Sequence, residues 1–268
     1  MASVGQRRAW HLRLVSIVAT LMVVLTTGGS GVSGAGKIEE LKRAGVVRVG
    51  WGTFKPMLYL DTDSNKIVGM WAEITEMMVS EGLGLKTQWM EGTWATIATG
   101  IQTNKWDLAV SGLTDERSAI AQPTKPFASV GYRLLVKEGS PAKSWQELDQ
   151  PGKRISVSQG SSTDQLLTGV IKNATIVRVR QEQAILELLS NKVDAQAVTS
   201  DYGIGATRQY PGLRLLQAAF GQTYIGWYVP KGADDVRAAV DAWMETAKKR
   251  GLVKQLIEKW KLEGEDPA

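Results

Sequence analysis

The 268-residue chain contains no cysteine. Disulfides, thiolate nucleophiles, Cys-zinc sites and a lipid-bearing N-terminal cysteine are therefore excluded. It contains one histidine, His11, close to the N-terminus. Beyond that segment there is no imidazole for a Ser-His-Asp triad, a metal ligand or a histidine general base. Any catalysis would rest on Asp, Glu, Lys, Tyr, Arg or Ser. An excess of one charge is lacking too. Lys+Arg is 32 and Asp+Glu 27, a net of +5. The first 35 residues hold Arg7, Arg8 and Arg13 and no acid, so the remainder carries only +2. That is no electrostatic footprint for nucleic acid. Hydrophobic residues at 43% and charged residues at 22% are ordinary for a globular chain. The balance of exclusions favours binding over catalysis.

The one long apolar run is Leu14–Leu25, behind the three arginines and ahead of a small-residue stretch, Thr26 to Gly36. A basic start, an apolar run of about a dozen residues and a small-residue exit predict a secretory signal peptide over 1–35. Cleavage is expected near Ser33–Ala35. The run is short for a membrane anchor, which needs about 20 apolar residues. Export without cysteine suits a bacterial periplasm.

Beyond residue 36 helical and strand patterns alternate. A helix at Ile38–Ala44 leads into a strand at Val46–Trp51. Strands at Leu85–Met90 and Trp106–Val110 alternate with helices at Trp71–Glu81 and Trp94–Thr103. The traffic resumes with strands at Arg154–Ser158, Thr175–Val179 and Val193–Thr199, a helix at Glu182–Lys192, and further strands at Leu213–Gln217 and Thr223–Val229. Two helices close the chain, the first capped by Asp234 or Asp235 and stopped at Gly251. This predicts an α/β fold with two lobes, each a mainly parallel sheet flanked by helices. Ligands in such folds sit beyond the carboxyl ends of the strands, and between two lobes the cleft is the default site.

The strand ends supply the candidates. Trp51, Phe54 and Trp94 offer flat apolar walls, or are ordinary core aromatics. In Ser111-Gly112-Leu113-Thr114-Asp115-Glu116-Arg117, the Gly112 backbone, the Ser111 and Thr114 hydroxyls and the Arg117 guanidinium can hold a carboxylate. Arg117 can equally pair with Asp115 or Glu116 on the surface. Gly160-Ser161-Ser162-Thr163 opens a helix and is a candidate anion site. Ser162 or Thr163 can instead serve only as the N-cap. Thr199 and Asp201 follow the next strand; Asp201 faces a ligand cation or is a surface turn residue.

In this order the pieces resemble the family 3 periplasmic solute-binding proteins of amino-acid ABC importers. The resemblance runs over about residues 37–262. It is carried by Phe54-Lys-Pro56, Ile67-Val-Gly69, Asn104-Lys-Trp-Asp107, Ser111-Gly112, Asp115-Glu-Arg117 with Pro126-Phe127, Val157 to Ser162, Asn191 to Ala195 and Glu258-Lys-Trp260. It implies a type II periplasmic binding fold. Lobe I would be 37–136 plus 223–268 and lobe II 140–220, with hinge strands near Val136–Gly139 and Ala219–Thr223. It implies capture by hinge closure of a small amino-acid-like or carboxylate solute, by a monomer that delivers it to a membrane ABC permease, with no cofactor and no nucleic acid. Arg117 would clamp the carboxylate with Thr114 and Gly112, Ser161 and Ser162 would assist, and Phe54 and Trp94 would flank the side chain.

The chain departs from the family where an ammonium is held. Five residues past Asp194 the family carries an Asp and this chain has Thr199. Past the first strand it has Trp51, and after Gly69 it has Met70-Trp71. A buried ammonium without a carboxylate is costly. The expectation is a carboxylate lacking the amine, or a cation resting on aromatic faces. Asp149-Gln-Pro-Gly152 and Trp243 to Trp260 also resemble the cyclohexadienyl dehydratases. That chemistry needs a general acid, and the family's Glu eight residues past Asp194 is here Tyr202. A sensor domain without transport is the third class.

Overall fold

The computed structural model of the protein describes residues 36–268. The expected signal peptide lies outside the described residues. No described helix is long and apolar enough to cross a membrane.

In chain order the first elements are α1 (Lys37–Ala44), β1 (Val46–Trp51), β2 (Tyr59–Asp61), β3 (Lys66–Val68), α2 (Met70–Met77), β4 (Lys86–Glu91), α3 (Ile97–Gln102), β5 (Leu108–Leu113), α4 (Asp115–Ile120), β6 (Gln122–Pro123) and β7 (Ala128–Lys137). There follow β8 (Arg154–Ser158), α5 (Ser162–Val170), β9 (Thr175–Val179), α6 (Gln181–Leu189), β10 (Ala195–Thr199) and α7 (Ser200–Gln209). The chain closes with β11 (Leu213–Leu215), β12 (Gly221–Val229), α8 (Asp234–Lys249), α9 (Leu252–Trp260) and β13 (Glu265–Pro267).

One sheet runs in the order β4-β1-β5-β12-β7-β10-β8-β9. Its outer thirds are parallel, β4-β1-β5 and β10-β8-β9. Between them β12 and β7 run antiparallel to each other and to their neighbours. β7 carries both halves. Its first residues pair with β12 and β13, and from Tyr132 onward it pairs with β10 and then β11. The change of partner falls at Tyr132, which pairs with Gly221 on one side and Thr199 on the other.

Each half has its own core. The larger collects Val47, Val49, Trp71, Phe127, Trp227 and Trp243 under α2, α8 and α9. The second centres on Leu134, Val136, Ile155, Val157 and Leu167. α8 and α9 pack because their apolar residues repeat at 3,4 spacing, so one stripe of each faces inward. At Gly100 a Cβ would stand 2.0 Å from the Trp106 ring, so only glycine lets that buried indole seat under α3. Asp107 ends the turn beyond Trp106 and anchors β1. Arg48 donates through Nε at 2.9 Å and Nη2 at 2.8 Å, and Lys37 stands 3.2 Å away. Burial works to raise the Asp107 pKa, but the bonds from Arg48 and Lys37 overcome it and hold the carboxyl below its usual range.

Candidate functional site

The carboxyl ends of β5, β8 and β10 converge on a cavity of about 40 Å³. That is room for about three waters at ~10–15 Å³ each, so a solute must part the walls to enter. Two wider depressions of about 470 and 460 Å³ flank it, and Gln181 lines all three.

The walls contain seven of the residues expected from sequence: Phe54, Trp94, Ser111, Gly112, Ser161, Ser162 and Thr199. The aromatic side is built by the loops after β1 and β4 and by the first turns of α2 and α7. Phe54 stacks on Tyr202 from α7, centroids 5.9 Å apart and 12° from parallel. Trp71 lies 5.3 Å from Phe54, and Trp94 meets it edge-on at 6.2 Å. The polar side is neutral: Ser111, Ser158, Ser162, Gln196 and Thr199. Gln196 Oε1 and Thr199 Oγ1 are buried without a protein partner. No Asp, Glu, Lys or Arg is on the wall.

Four expected residues stand elsewhere. Trp51 is core, the last residue of β1, paired with Glu91 and packed among the apolar residues of the larger half. Its side chain, on the sheet face covered by the larger core, is 3% exposed. Thr114 caps α4, accepting the Arg117 N–H at 3.3 Å, and its own N–H donates to Tyr228 Oη at 2.8 Å. Arg117 is not a surface residue paired with Asp115 or Glu116. It is 3% exposed. Its Nη1 donates to Ser111 Oγ and to the Gly112 carbonyl at 2.9 Å. Its Nη2 donates to the Trp94 carbonyl at 3.3 Å and the Gly160 carbonyl at 2.9 Å. The guanidinium thus sits directly behind three wall residues and ties the β5 end to the loop after β8. Burial lowers its pKa, yet arginine stays protonated in proteins. Asp201 is not a surface turn residue either. It is 5% exposed at the head of α7, off the wall.

The glycine turn differs from expectation in its chemistry. Ser161, not Ser162 or Thr163, is the N-cap of α5, accepting the Asp164 N–H at 3.1 Å. Asp164 in turn accepts the Gly160 N–H at 2.9 Å and pairs with Arg178 at 2.9 Å. The chain's own carboxylate therefore takes one of the donors an external anion would use. Gly160 has φ +71°, and a Cβ there would stand 2.6 Å from Ala95 Cα. A Cβ at Gly112 would stand 2.5 Å from Ser162 Oγ. Both glycines let the two sides of the cleft touch.

Trp71, Gln181 and Gln196 are wall residues that strand-end reasoning missed, and Tyr202, which follows Asp201 at a strand end, is on the wall where Asp201 is not. Trp71 opens α2 rather than ending a strand, and Gln196 lies mid-strand in β10. The signal for Gln196 was a lone amide in an otherwise apolar strand.

A model of the bacterial extracellular solute-binding proteins, family 3, matches residues 47–263. The chain belongs to that family. Its relatives include the L-cystine-binding protein TcyJ of Escherichia coli (strain K12), 23% identical over 93% of this chain and 96% of that one. The cyclohexadienyl dehydratase of Pseudomonas aeruginosa is 23% identical over 84% of this chain and 85% of that one. The solute receptor for L-cysteine of Neisseria gonorrhoeae superposes with TM-score 0.77 at 21% identity, covering 84% of this chain and 93% of that one. The fold is the two-lobed type II periplasmic-binding fold, and the family's proteins bind small solutes. The strand order described above, two parallel thirds joined by an antiparallel pair, is this chain's form of it.

Proposed function

We propose that the chain is an exported, monomeric binding protein that captures an amino-acid-like solute in the cavity and hands it to a membrane ABC permease. Lobe I is taken as 37–136 plus 223–268 and lobe II as 140–220. The reading is carried by one observation: Arg117 and the wall residues of β5 meet Gly160 and Ser162 from the other half of the sheet around the cavity. Closing the two sides over a solute would bury it.

Arg117 supports a carboxylate at that end. It stands behind Ser111 and Gly112, and its bonds to main-chain carbonyls are the ones a ligand carboxylate would replace. Phe54, Trp71, Trp94 and Tyr202 would enclose the side chain, and a cationic group there would gain from the aromatic faces. Relatives named for cystine, glutamine and histidine point to amino acids as the class. Removal of residues 1–35 on export, and residence in the periplasm, rest on the basic and apolar pattern of that segment.

We propose that the chain is no enzyme, although a dehydratase is among its relatives. The wall offers no carboxyl to protonate a leaving group. Tyr202, at the position of the dehydratase acid, has its pKa raised further by burial.

The test is a thermal-shift panel of amino acids, polyamines, quaternary amines, small carboxylates, prephenate and arogenate. A true solute stabilises by about 2.7 kcal/mol at a hundredfold excess over Kd. One amino-acid class is expected to shift the melting temperature. Turnover of prephenate or arogenate to product would overturn the non-enzymatic reading.

A further inference from the structure

We propose that the C-terminal tail is a proton-dependent latch, in which Asp201 at the head of α7 and Glu265 in β13 share one proton across the line where the two halves meet, so that closure takes up a proton. The inference rests on the solute-binding reading only in taking the halves to open and close.

The geometry comes from one edge of β7. Tyr132 pairs with Gly221 on one side and Thr199 on the other, and Val130 pairs with Thr223 and Glu265. β12 fills one edge, so β13 and β10 lie end to end along the opposite edge. The head of α7 follows β10 directly and meets the tail there. Gly264 sits against it: a Cβ at Gly264 would be 3.0 Å from Ser200 Cβ and 3.3 Å from the Asp201 nitrogen. The tail itself is fixed to the other half. Leu262 belongs to the larger core, and the Ala268 N–H donates to the Phe127 carbonyl at 3.1 Å. Glu263 adds an ion pair to Arg208 of α7.

Both carboxyls are buried, Asp201 5% and Glu265 3% exposed. Glu265 Oε1 accepts the Trp71 indole N–H at 3.1 Å, and Asp201 Oδ1 accepts the Tyr202 N–H at 2.7 Å. Asp201 Oδ2 and Glu265 Oε2 have no donor. The groups facing the pair are Thr199 at the end of β10, whose hydroxyl favours the charged form of Asp201, Trp71 from α2, Tyr132 from β7 and Asp266 from the tail, none of them a cation. Among the described residues no lysine or arginine forms a salt bridge with either carboxyl; Arg208 is taken by Glu263. Two adjacent buried carboxylates cannot both stay ionised, so the pair holds a proton. Burial, and then the charge of Asp201, push Glu265 well above its ordinary value, and burial raises Asp201.

The sign follows. The closed form binds the proton more tightly than an open form in which water reaches both groups. Closure is therefore fully favoured below the ordinary carboxylate range, where the open form is protonated too. Above it closure weakens by about tenfold per pH unit, until the closed form also loses its proton.

Trp71 reports on the pair, because its N–H donates to Glu265. The test follows the indole 15N–1H signals of the solute-free protein from pH 4 to 9, with Trp71→Phe to assign the peak, and X-ray scattering over the same range. The Trp71 signal is expected to titrate with a midpoint above the ordinary carboxylate range, and the radius of gyration to rise across it. Glu265→Gln should abolish both changes. Asp201→Asn should do the same and carries the test if the first variant does not fold. A flat Trp71 signal, a titration that persists in both variants, or an unchanged radius across the midpoint would overturn the latch. The solute panel at one fixed pH decides the binding reading separately. A hit there with a flat Trp71 signal overturns the latch alone. A silent panel with a titrating signal and radius overturns the binding reading alone.

Discussion

Two buried charge sites flank an uncharged cavity, and they are held in opposite ways. At one end Arg117 is a cation with no carboxylate among its hydrogen-bond partners. At the other Asp201 and Glu265 are acids with no cation. Arg117 is satisfied by Ser111 and three main-chain carbonyls, one of them Gly160 from across the cleft. The acids each keep an oxygen without a donor. A buried guanidinium keeps its charge whatever the pH, whereas a buried pair of acids is conditional on a proton. The wall between them need carry no charge, because both signs stand one layer behind it.

The largest expected effect comes from breaking the fixed end. Arg117→Ala leaves Ser111 and the three carbonyls without their donor. Solute affinity, read by calorimetric titration, should fall by about 2 kcal/mol or more. Unchanged affinity would remove the guanidinium from the site. Next is Gly160→Ala, which forces an L-residue to φ +71° and drives a Cβ toward Ala95. The left-handed backbone alone costs about 1–2 kcal/mol, and the contact opposes closure. Affinity is expected to drop by tenfold or more at a modest loss of melting temperature. A variant that binds as tightly as the parent would show that Gly160 and Ala95 need not meet.

The acid end sharpens the comparison through pH. Asp107 is held low by Arg48 and Lys37, so its contribution is present above its unfolded value and is lost as pH falls through its folded one. Asp201 and Glu265 are raised, so theirs is present at low pH and is lost as pH rises. Asp107→Asn should therefore flatten the acid limb of a melting-temperature profile. Glu265→Gln should flatten the alkaline slope. Both variants altering the same limb would contradict the opposite signs. The smallest effect is Ser161→Ala, which removes the cap of α5 and should cost about 1 kcal/mol in denaturant unfolding. A loss several times larger would mean that Ser161 does more than cap.

Much of this arrangement was legible in the sequence. Short, mostly apolar stretches that run into Ser, Gly or Thr mark β5, β8 and β10, and their ends do converge on the cavity. Phe54 and Trp94 were legible because each stands in a loop just past a strand. Trp51 was not, because its burial depends on the apolar residues that pack against its face of the sheet. The environment of Arg117 was hidden too: Asp115 and Glu116 are its neighbours in sequence, but Gly160 is its neighbour in space. Asp201 stands two residues past the family's acidic position, and the turn into α7 carries it off the wall. Glu265 gave no signal at all. Glu-Asp-Pro has no strand propensity, and only the free edge of β7 makes it β13.

The most direct test of the account is X-ray scattering of the protein with and without the amino acid that shifts its melting temperature, beside the Gly160→Ala variant. The solute is expected to shrink the radius of gyration of the parent and to leave the variant expanded. A parent that binds without compaction, or a variant that compacts as fully as the parent, would contradict capture by closure of this cleft.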